Sequence, residues 1–567
     1  MEQKRKEIYS IIAIVVLCVV TYFLRAKNYY ITEIFSEAKY AAAALSVSGI
    51  SDIFIPKLNG QNFVDIAPLY YVITSLFGGL FSFSEFSLRL PSALAAIGTV
   101  FAVYVAFKNV TNRNFATISA LVILTSVGFI MFSTLASPFM ICFCFQLIAI
   151  LCGIMPIFSD ENQPVQKFFT IFWISLVLSF LTAGIYAIVL PLLVVLLANV
   201  AFGKGKTLFC KNNVIVSAIL LFVLLIFWVL FSTQVTGYMN FASIFSLAKI
   251  NLPIANFKDF CLLNLGNFAY AIIPWLFVFV LVAITSVYKF IKDYIKCKKD
   301  GTEYIINNER KILIVSVIGF AVSLLQYFVA GVTDVSRMLP MIAFAAIITA
   351  YFWYRNLVDN EHNKMMLAAS TVFYFLCIAA SFAIVIAYFC VSPMYKSMIY
   401  PFLMPVIAIT LFVAIVGTIA LLLKRKVLNF SVHIMFSLLI FFGLTGFVYN
   451  YVNSLGATDL VKCAQKAKAD GATLVTFDIK NKYVLTFYYQ KSIGFNGRYS
   501  AEDLFKLYGD TRKYYMVVKI NDLIYLDRYF VYEVVETGKK YCAITNIKYL
   551  PSDEVRANLG YGQDIVL

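Results

Sequence analysis

Side chains able to move a proton or hold an anion are scarce in this chain and unevenly placed. Only 13% of its 567 residues are charged, and only His362 and His433 are histidines. A positioned carboxylate can act as a general base, worth roughly 10²–10⁴ in rate, and a lysine or arginine can hold an anion. Residues 26–87 carry the carboxylates Glu33, Glu37, Asp52, Asp65 and Glu85. Glu37 and Lys39 fall on Ile31–Ser48, where Ile34, Tyr40, Ala41 and Leu45 mark one side of an amphipathic helix. A turn through Ser51 to Gly60 precedes Asn62–Tyr71, which holds Asp65, Tyr70 and Tyr71. On composition alone the first segment is an interfacial helix anchoring a loop. Eleven cysteines are scattered with no C-x-x-C, so neither a zinc site nor a disulfide framework is indicated. Cys463 and Cys542 share the C-terminal region, and whether they pair stays open.

The elements that must position these residues are mostly apolar runs. Hydrophobic residues make up 61% of the chain, far above a soluble fold of this length. Crossing a hydrocarbon core of roughly 30 Å takes about 20 apolar residues. Thirteen spans are expected, near 8–25, 88–108, 114–135, 138–157, 166–183, 185–202, 212–232, 267–290, 311–330, 338–354, 365–390, 399–423 and 430–452. Alternate connectors are basic: Lys4-Arg5-Lys6, Lys108 with Arg113, Lys204 to Lys211, Lys289 to Lys311, Arg355 with Lys364, and Lys424-Arg425-Lys426. By the positive-inside tendency these face the cytoplasm, as does the N-terminus, and residues 26–87, 233–266 and 453–567 face outward. The N-terminal apolar run lacks a cleavage pattern and reads as a retained anchor. Pro68–Phe83 is short and holds Gly78-Gly79, so it reads as an interfacial or partly inserted helix. The net charge of +16 sits largely in the inner connectors and needs no nucleic acid to explain it.

The last 115 residues or so change character. A helix over Asp459–Asp470 with Gly471 as its stop, strands at Thr473–Phe477, Tyr514–Lys519, Phe530–Glu536 and Tyr541–Asn546, and a helix over Tyr483–Tyr489 make a small α/β domain. It has no glycine-rich phosphate loop and no histidine, and reads as a structural cap.

Three blocks of the first outer loop resemble a known family in order and spacing. Ser36-Glu37-Ala38-Lys39-Tyr40-Ala41, Asp65–Tyr71 and Arg89-Leu90-Pro91-Ser92-Ala93-Leu94 resemble the D-E-x-R-Y-A, F-E-K-P-P-L-Y-Y and R-L-P-S-A-L motifs of lipid A aminoarabinose transferases and related protein O-mannosyltransferases. Leu181-Thr182-Ala183-Gly184 with Pro191, Pro274-Trp275, Arg337-Met338-Leu339-Pro340, Ala501–Leu504 and Tyr515–Lys519 are further matches. The resemblance implies a polytopic α-helical membrane protein of the C-type glycosyltransferase fold with an outer α/β domain. It implies transfer of a sugar from a polyprenyl-phosphate donor to a lipid (lipid A-like) or protein acceptor at the outer face of a bacterial inner membrane, in cell-envelope or lipid A modification.

The chain departs from that pattern at Ser36 (Asp in the family), Ile66 (Lys), Ser137 (an acid) and Ala183 (Lys). By resemblance, Glu37 and Asp65 are then the expected catalytic carboxylates, Lys39 and Arg337 the donor-phosphate ligands, and Ser36, Tyr40, Tyr70, Tyr71 and Ser137 the substrate-cavity lining. Those four residues, Glu37, Lys39, Asp65 and Arg337, are expected to converge on one outward cavity. No cofactor and no metal are expected, since both histidines fall on the cytoplasmic side. A catalytically silent relative that binds lipid or a partner glycosyltransferase is the alternative. A transporter of lipid-linked sugars is a third reading, against which the nearly charge-free spans argue.

Overall fold

The computed structural model describes residues 2–23, 30–47, 52, 55–63, 65–159, 166–205, 219, 222, 226, 247, 257–281, 306–331, 333–390, 393–454, 456–480, 482–493, 495–497, 513–528 and 530–549. Most of the expected span at 212–232 and of the loop 233–266, together with the basic residues Lys289 to Lys299 and the match at Ala501–Leu504, lies outside them. The chain divides into two compact units. One comprises Met1–Lys27, Val64–Ile73 and Arg89–Phe447; the other comprises Asn28–Phe63, Thr74–Leu88 and Val448–Leu567.

Apolar runs become helices close to where their lengths put them: α1 Glu2–Cys18, α2 Glu37–Leu45, α3 Leu69–Phe81, α4 Glu85–Val110, α5 Arg113–Leu124, α6 Val127–Ser133, α7 Pro138–Gly153, α8 Gln166–Ala183 and α9 Ile185–Ala201. They continue with α10 Phe257–Ala271, α11 Asn308–Ala330, α12 Leu339–Leu357, α13 Asn363–Cys390, α14 Pro393–Leu422 and α15 Lys426–Ser454. Six helical stretches among the described residues are long and apolar enough to cross a membrane, seven if α5 and α6, bent by 68°, count as one span. Thirteen long spans are therefore not what the described residues show. Four of the expected spans are shorter apolar helices, Glu7–Phe23, Lys167–Ala183, Ile185–Ala201 and Lys426–Phe442; Leu69–Phe81, not expected to span, is a fifth short one. At 13 residues α3 is about 20 Å long, well short of the hydrocarbon thickness. The expected span at 267–290 is also broken: α10 stops at Ala271 and helix resumes only over 276–281. Pro274 has no N–H to give to a helix and its ring blocks the preceding turn.

Burial separates the helices. The apolar window of Val335–Leu357 is 94% buried, against 24% in α13 and 28% in Leu403–Leu422, so α12 is surrounded by protein while α13 and α14 present most of their surface outward. Around α12 the aromatic rings of Trp275, Trp353, Phe373 and Phe430 enclose His433, which stacks on Trp275 and Phe373. Asn112 ties this core to its neighbours. Its side-chain oxygen caps α5 by accepting from the Phe115 N–H at 2.9 Å, and its amide donates to Glu309 and to Tyr354.

In the second unit the tail forms a mixed five-stranded sheet, flanked by α16 Ala457–Ala469 and α17 Lys482–Tyr489. Its strands are β3 Thr473–Phe477, β4 Phe495–Gly497, β5 Tyr514–Lys519, β6 Phe530–Thr537 and β7 Tyr541–Tyr549, in the order β4-β3-β5-β7-β6, the first three parallel and the last two antiparallel. The sequence-expected strands all form; the short edge strand β4 was not expected. Gly471 follows α16 at φ 66°, the left-handed stop that glycine takes without strain. Cys463 and Cys542 are both buried free thiols. A two-residue hairpin, β1 Lys57–Leu58 with β2 Gln61–Asn62, belongs to the same unit.

Candidate functional site

Arg337 lies in the 3₁₀ turn Val335–Met338, which runs directly into α12. Asp334 fixes that turn by accepting from the Ser336 N–H at 2.9 Å and the Ser336 hydroxyl at 2.7 Å. The guanidinium lies over two rings, 5.6 Å from the centre of Phe139 and 5.4 Å from that of Tyr186. A ring face attracts a cation and holds the guanidinium plane. Among the described residues no carboxylate pairs with Arg337, and its buried Nε finds no acceptor. What sets Arg337 apart is therefore the lack of a carboxylate partner among the described residues, its guanidinium resting on two rings instead.

Both rings are set by helix starts. Ser137 caps α7, its hydroxyl accepting from the Phe139 N–H at 3.4 Å, with Pro138 in the first helical position. The Ser137 carbonyl accepts from the Ser92 hydroxyl at 3.2 Å, which ties Arg89–Leu94 to this corner. Tyr186 follows Gly184, whose φ of 64° and ψ of −149° suit glycine almost alone. Backbone carbonyls of Tyr186 and Ala187 accept from Gln326 at 2.7 Å and Gln146 at 2.8 Å, which pins the start of α9. Ile66 and Ala183, where the resemblance has lysine, are buried apolar side chains. Asp65 in this unit is exposed, while Tyr70 and Tyr71 are fully buried, their rings 5.4 Å apart.

The second unit holds the other predicted residues. The helix expected over Ile31–Ser48 is shorter: a 3₁₀ turn Ile34–Ser36 precedes α2, which begins at Glu37. Phe35 (φ 53°) and Ser36 (φ 59°) are both left-handed, and such a conformation costs a side-chain-bearing residue roughly 1–2 kcal/mol. Asp and Asn tolerate this region best, so the family's Asp would sit here with less strain than Ser36 does. Ser36 is exposed, whereas Glu37 is only 1% exposed. Lys39 is half-buried with its ammonium 4.9 Å from the Phe63 ring, and Tyr40 is buried.

This loop is bolted to α17. The Tyr488 hydroxyl accepts from the Ile31 N–H at 3.0 Å and donates to Glu85 at 2.8 Å. Asn59 accepts from the Thr486 hydroxyl at 3.0 Å. Glu33 accepts from the Tyr483 N–H at 3.1 Å, capping α17 from another part of the chain. Burial pushes the Glu33 carboxyl up to about 7, against the pull of the Tyr483 and Val484 N–H groups and of Lys39 and Lys482. Glu33 and Glu85 had no role in the sequence reading, because nothing local announces a partner some 400 residues away.

The structure thus gathers Arg337, Ser137 and Ala183 with Phe139 and Tyr186 in one unit, and Ser36, Glu37, Lys39 and Tyr40 in the other. Phe139 and Tyr186 were missed, although each stands two residues beyond a quoted motif position, Ser137 and Gly184. The family profile "Dolichyl-phosphate-mannose-protein mannosyltransferase" matches residues 65–247, which include Asp65, Arg89–Leu94, Ser137 and Gly184. Among solved structures the chain is similar to ArnT from Cupriavidus metallidurans in the apo state, at 13% identity and a TM-score of 0.74, over 94% of this chain and 97% of that one. The same protein bound to undecaprenyl phosphate matches at 13% identity and a TM-score of 0.72, over 94% and 98%. A comparison with curated proteins finds no match.

Proposed function

We propose that the chain is a member of the ArnT/PMT-like GT-C superfamily of polyprenyl-phosphate-dependent glycosyltransferases and that it transfers a sugar from a polyprenyl-phosphate donor to a lipid or protein hydroxyl at the outer face of the membrane. The observation that carries this reading is Arg337, a guanidinium held over Phe139 and Tyr186 with no carboxylate paired to it among the described residues. A planar cation so held can grip two phosphate oxygens at once. In the transfer the acceptor oxygen attacks the anomeric carbon, the carbon–oxygen bond to phosphate breaks, and polyprenyl phosphate leaves with the electron pair. Arg337 and Lys39 stabilise the charge that develops on the leaving phosphate. On this reading Glu37 is the base that takes the acceptor proton and Asp65 is the second carboxylate, with Ser36, Tyr40, Tyr70, Tyr71 and Ser137 the further residues assigned to substrate. Because Glu37 is buried one residue past two strained left-handed residues, it serves as base only if the first turn of α2 rotates.

On the charge of the connectors we propose a cytoplasmic N-terminus and an outer C-terminal domain, so a cysteine replacing the exposed Asn521 should be labelled from the outside alone. Reconstituted protein supplied with a panel of polyprenyl-phosphate sugars tests the chemistry. Ser36→Asp together with Ile66→Lys restores two family residues and should raise turnover. A second reading, a catalytically silent relative, is favoured by the neutral residues at 36, 66, 137 and 183. No turnover by either the native chain or the restored variant would make it the better one.

A further inference from the structure

A second cationic site lies where the ends of α12, α13, α14 and α15 meet. A cavity of about 260 Å³ there has Lys364, Lys424, Arg425 and Lys426 in its lining, above the buried Met366 and Asn429. None of these four cations has a carboxylate partner among the described residues. The nearby acids are spent elsewhere, since Arg355 takes both Asp359, at 2.6 Å, and Glu361, at 2.5 Å. Lys426 alone is tethered, donating to the Asn356 carbonyl at 3.2 Å and to Asn360 Oδ1 at 2.6 Å. Helices α13 and α15 begin at this cavity while α12 and α14 end there, so the helix termini roughly offset one another and the four side chains set the charge.

What borders the cations decides the ligand. Leu422, Leu423 and Val427 are 77%, 62% and 70% exposed, and they flank Lys424, Arg425 and Lys426 in the chain. A soluble anion would satisfy the charge and leave those side chains bare. A molecule with an anionic head and acyl chains satisfies both, and clustered basic residues at a bilayer surface attract such lipids.

We propose that this cavity binds the phosphodiester headgroup of an anionic phospholipid, whose acyl chains lie along the exposed apolar residues at the join of α14 and α15. By the charge of the connectors this is the cytoplasmic leaflet. The site rests on none of the residues assigned to sugar transfer, so it stands or falls apart from that activity.

Native mass spectrometry of the purified full chain, loaded with phosphatidylglycerol or phosphatidylcholine, tests it. The native chain should retain phosphatidylglycerol about tenfold or more over phosphatidylcholine, as expected for several cations acting on one headgroup. The variant Lys364→Gln/Lys424→Gln/Arg425→Gln should lose most of that preference while its thermal unfolding stays cooperative. Lys167→Gln, which removes an exposed cation elsewhere, should leave it unchanged. If the triple variant does not fold, Lys424→Glu alone should cut the preference severalfold. Equal retention of the two lipids, an equal loss on Lys167→Gln, or displacement of phosphatidylglycerol by millimolar inorganic phosphate would each overturn the proposal, the last in favour of a soluble anion.

Discussion

Two arginines stand at opposite ends of the stretch Val335–Leu357, the most buried of the candidate spans among the described residues, and their surroundings differ in kind. Arg355, in the last turn of α12, holds Asp359 and Glu361 in ion pairs. Arg337, in the turn before α12, meets two aromatic rings and no described carboxylate. A cation with its counter-charges in the fold has its charge already matched. A cation held in place without them keeps its charge for something else. The comparison teaches that charge count says little in a membrane core; what matters is whether the fold has already satisfied the charge.

Arg337→Ala gives the largest expected effect, a fall in transfer of roughly 10²–10³, as for loss of one donor to a developing anion. Arg337→Lys should recover little of it, because an ammonium offers no planar two-pronged grip. Activity within a few-fold of the native protein in both variants would erase the contrast with Arg355. Glu37→Gln comes next: transfer should drop by roughly 10²-fold if the carboxylate is the base. A change of only a few-fold would leave Glu37 a structural residue in the first turn of α2.

Arg355→Ala tests the other side of the comparison. Removing it leaves the partly exposed Asp359 and Glu361 without their cation, and unfolding should become easier by about 0.5–1 kcal/mol with turnover per folded molecule retained. Thermal unfolding beside an activity assay reads both. The last effect, that of Glu33, shows only as pH changes. Its folded value of about 7 lies above the ordinary 4.5, so the folded state holds the proton more tightly. The stability this gives is complete below pH 4.5 and is lost as pH rises through 7. Glu33→Gln should flatten that slope by about 1–2 kcal/mol between pH 5 and 8, keeping an acceptor for the Tyr483 N–H. An unchanged slope would remove Glu33 as its source.

Much of the membrane unit was legible from apolar run length alone. Expected spans at 88–108 and 311–330 correspond to Glu85–Val110 and Asn308–Ala330, because a run must be helical wherever its backbone cannot bond to water. The break after Ala271 was not, since apolarity continues through Pro274 and hides the missing N–H. In the tail, strand runs such as Thr473–Phe477 were readable because both faces are buried, whereas β4, three residues long, carries no periodic signal. Arg337 was found by its motif, but its condition depends on Phe139 and Tyr186, which are distant in sequence and near only in the fold.

The capping of α17 by Glu33 has a consequence in time. The two partners are 450 residues apart in the chain. At ordinary synthesis rates of about 5–20 residues per second, the first loop emerges roughly 20–90 s before the helix that completes it. Through that interval Glu33, Asn59 and Ile31 have no α17 to bond, so the loop must wait in a solvated or chaperoned form. Residues made late thus complete a loop made early, and a chain truncated before Lys482 would leave Ile31, Glu33 and Asn59 without these hydrogen bonds.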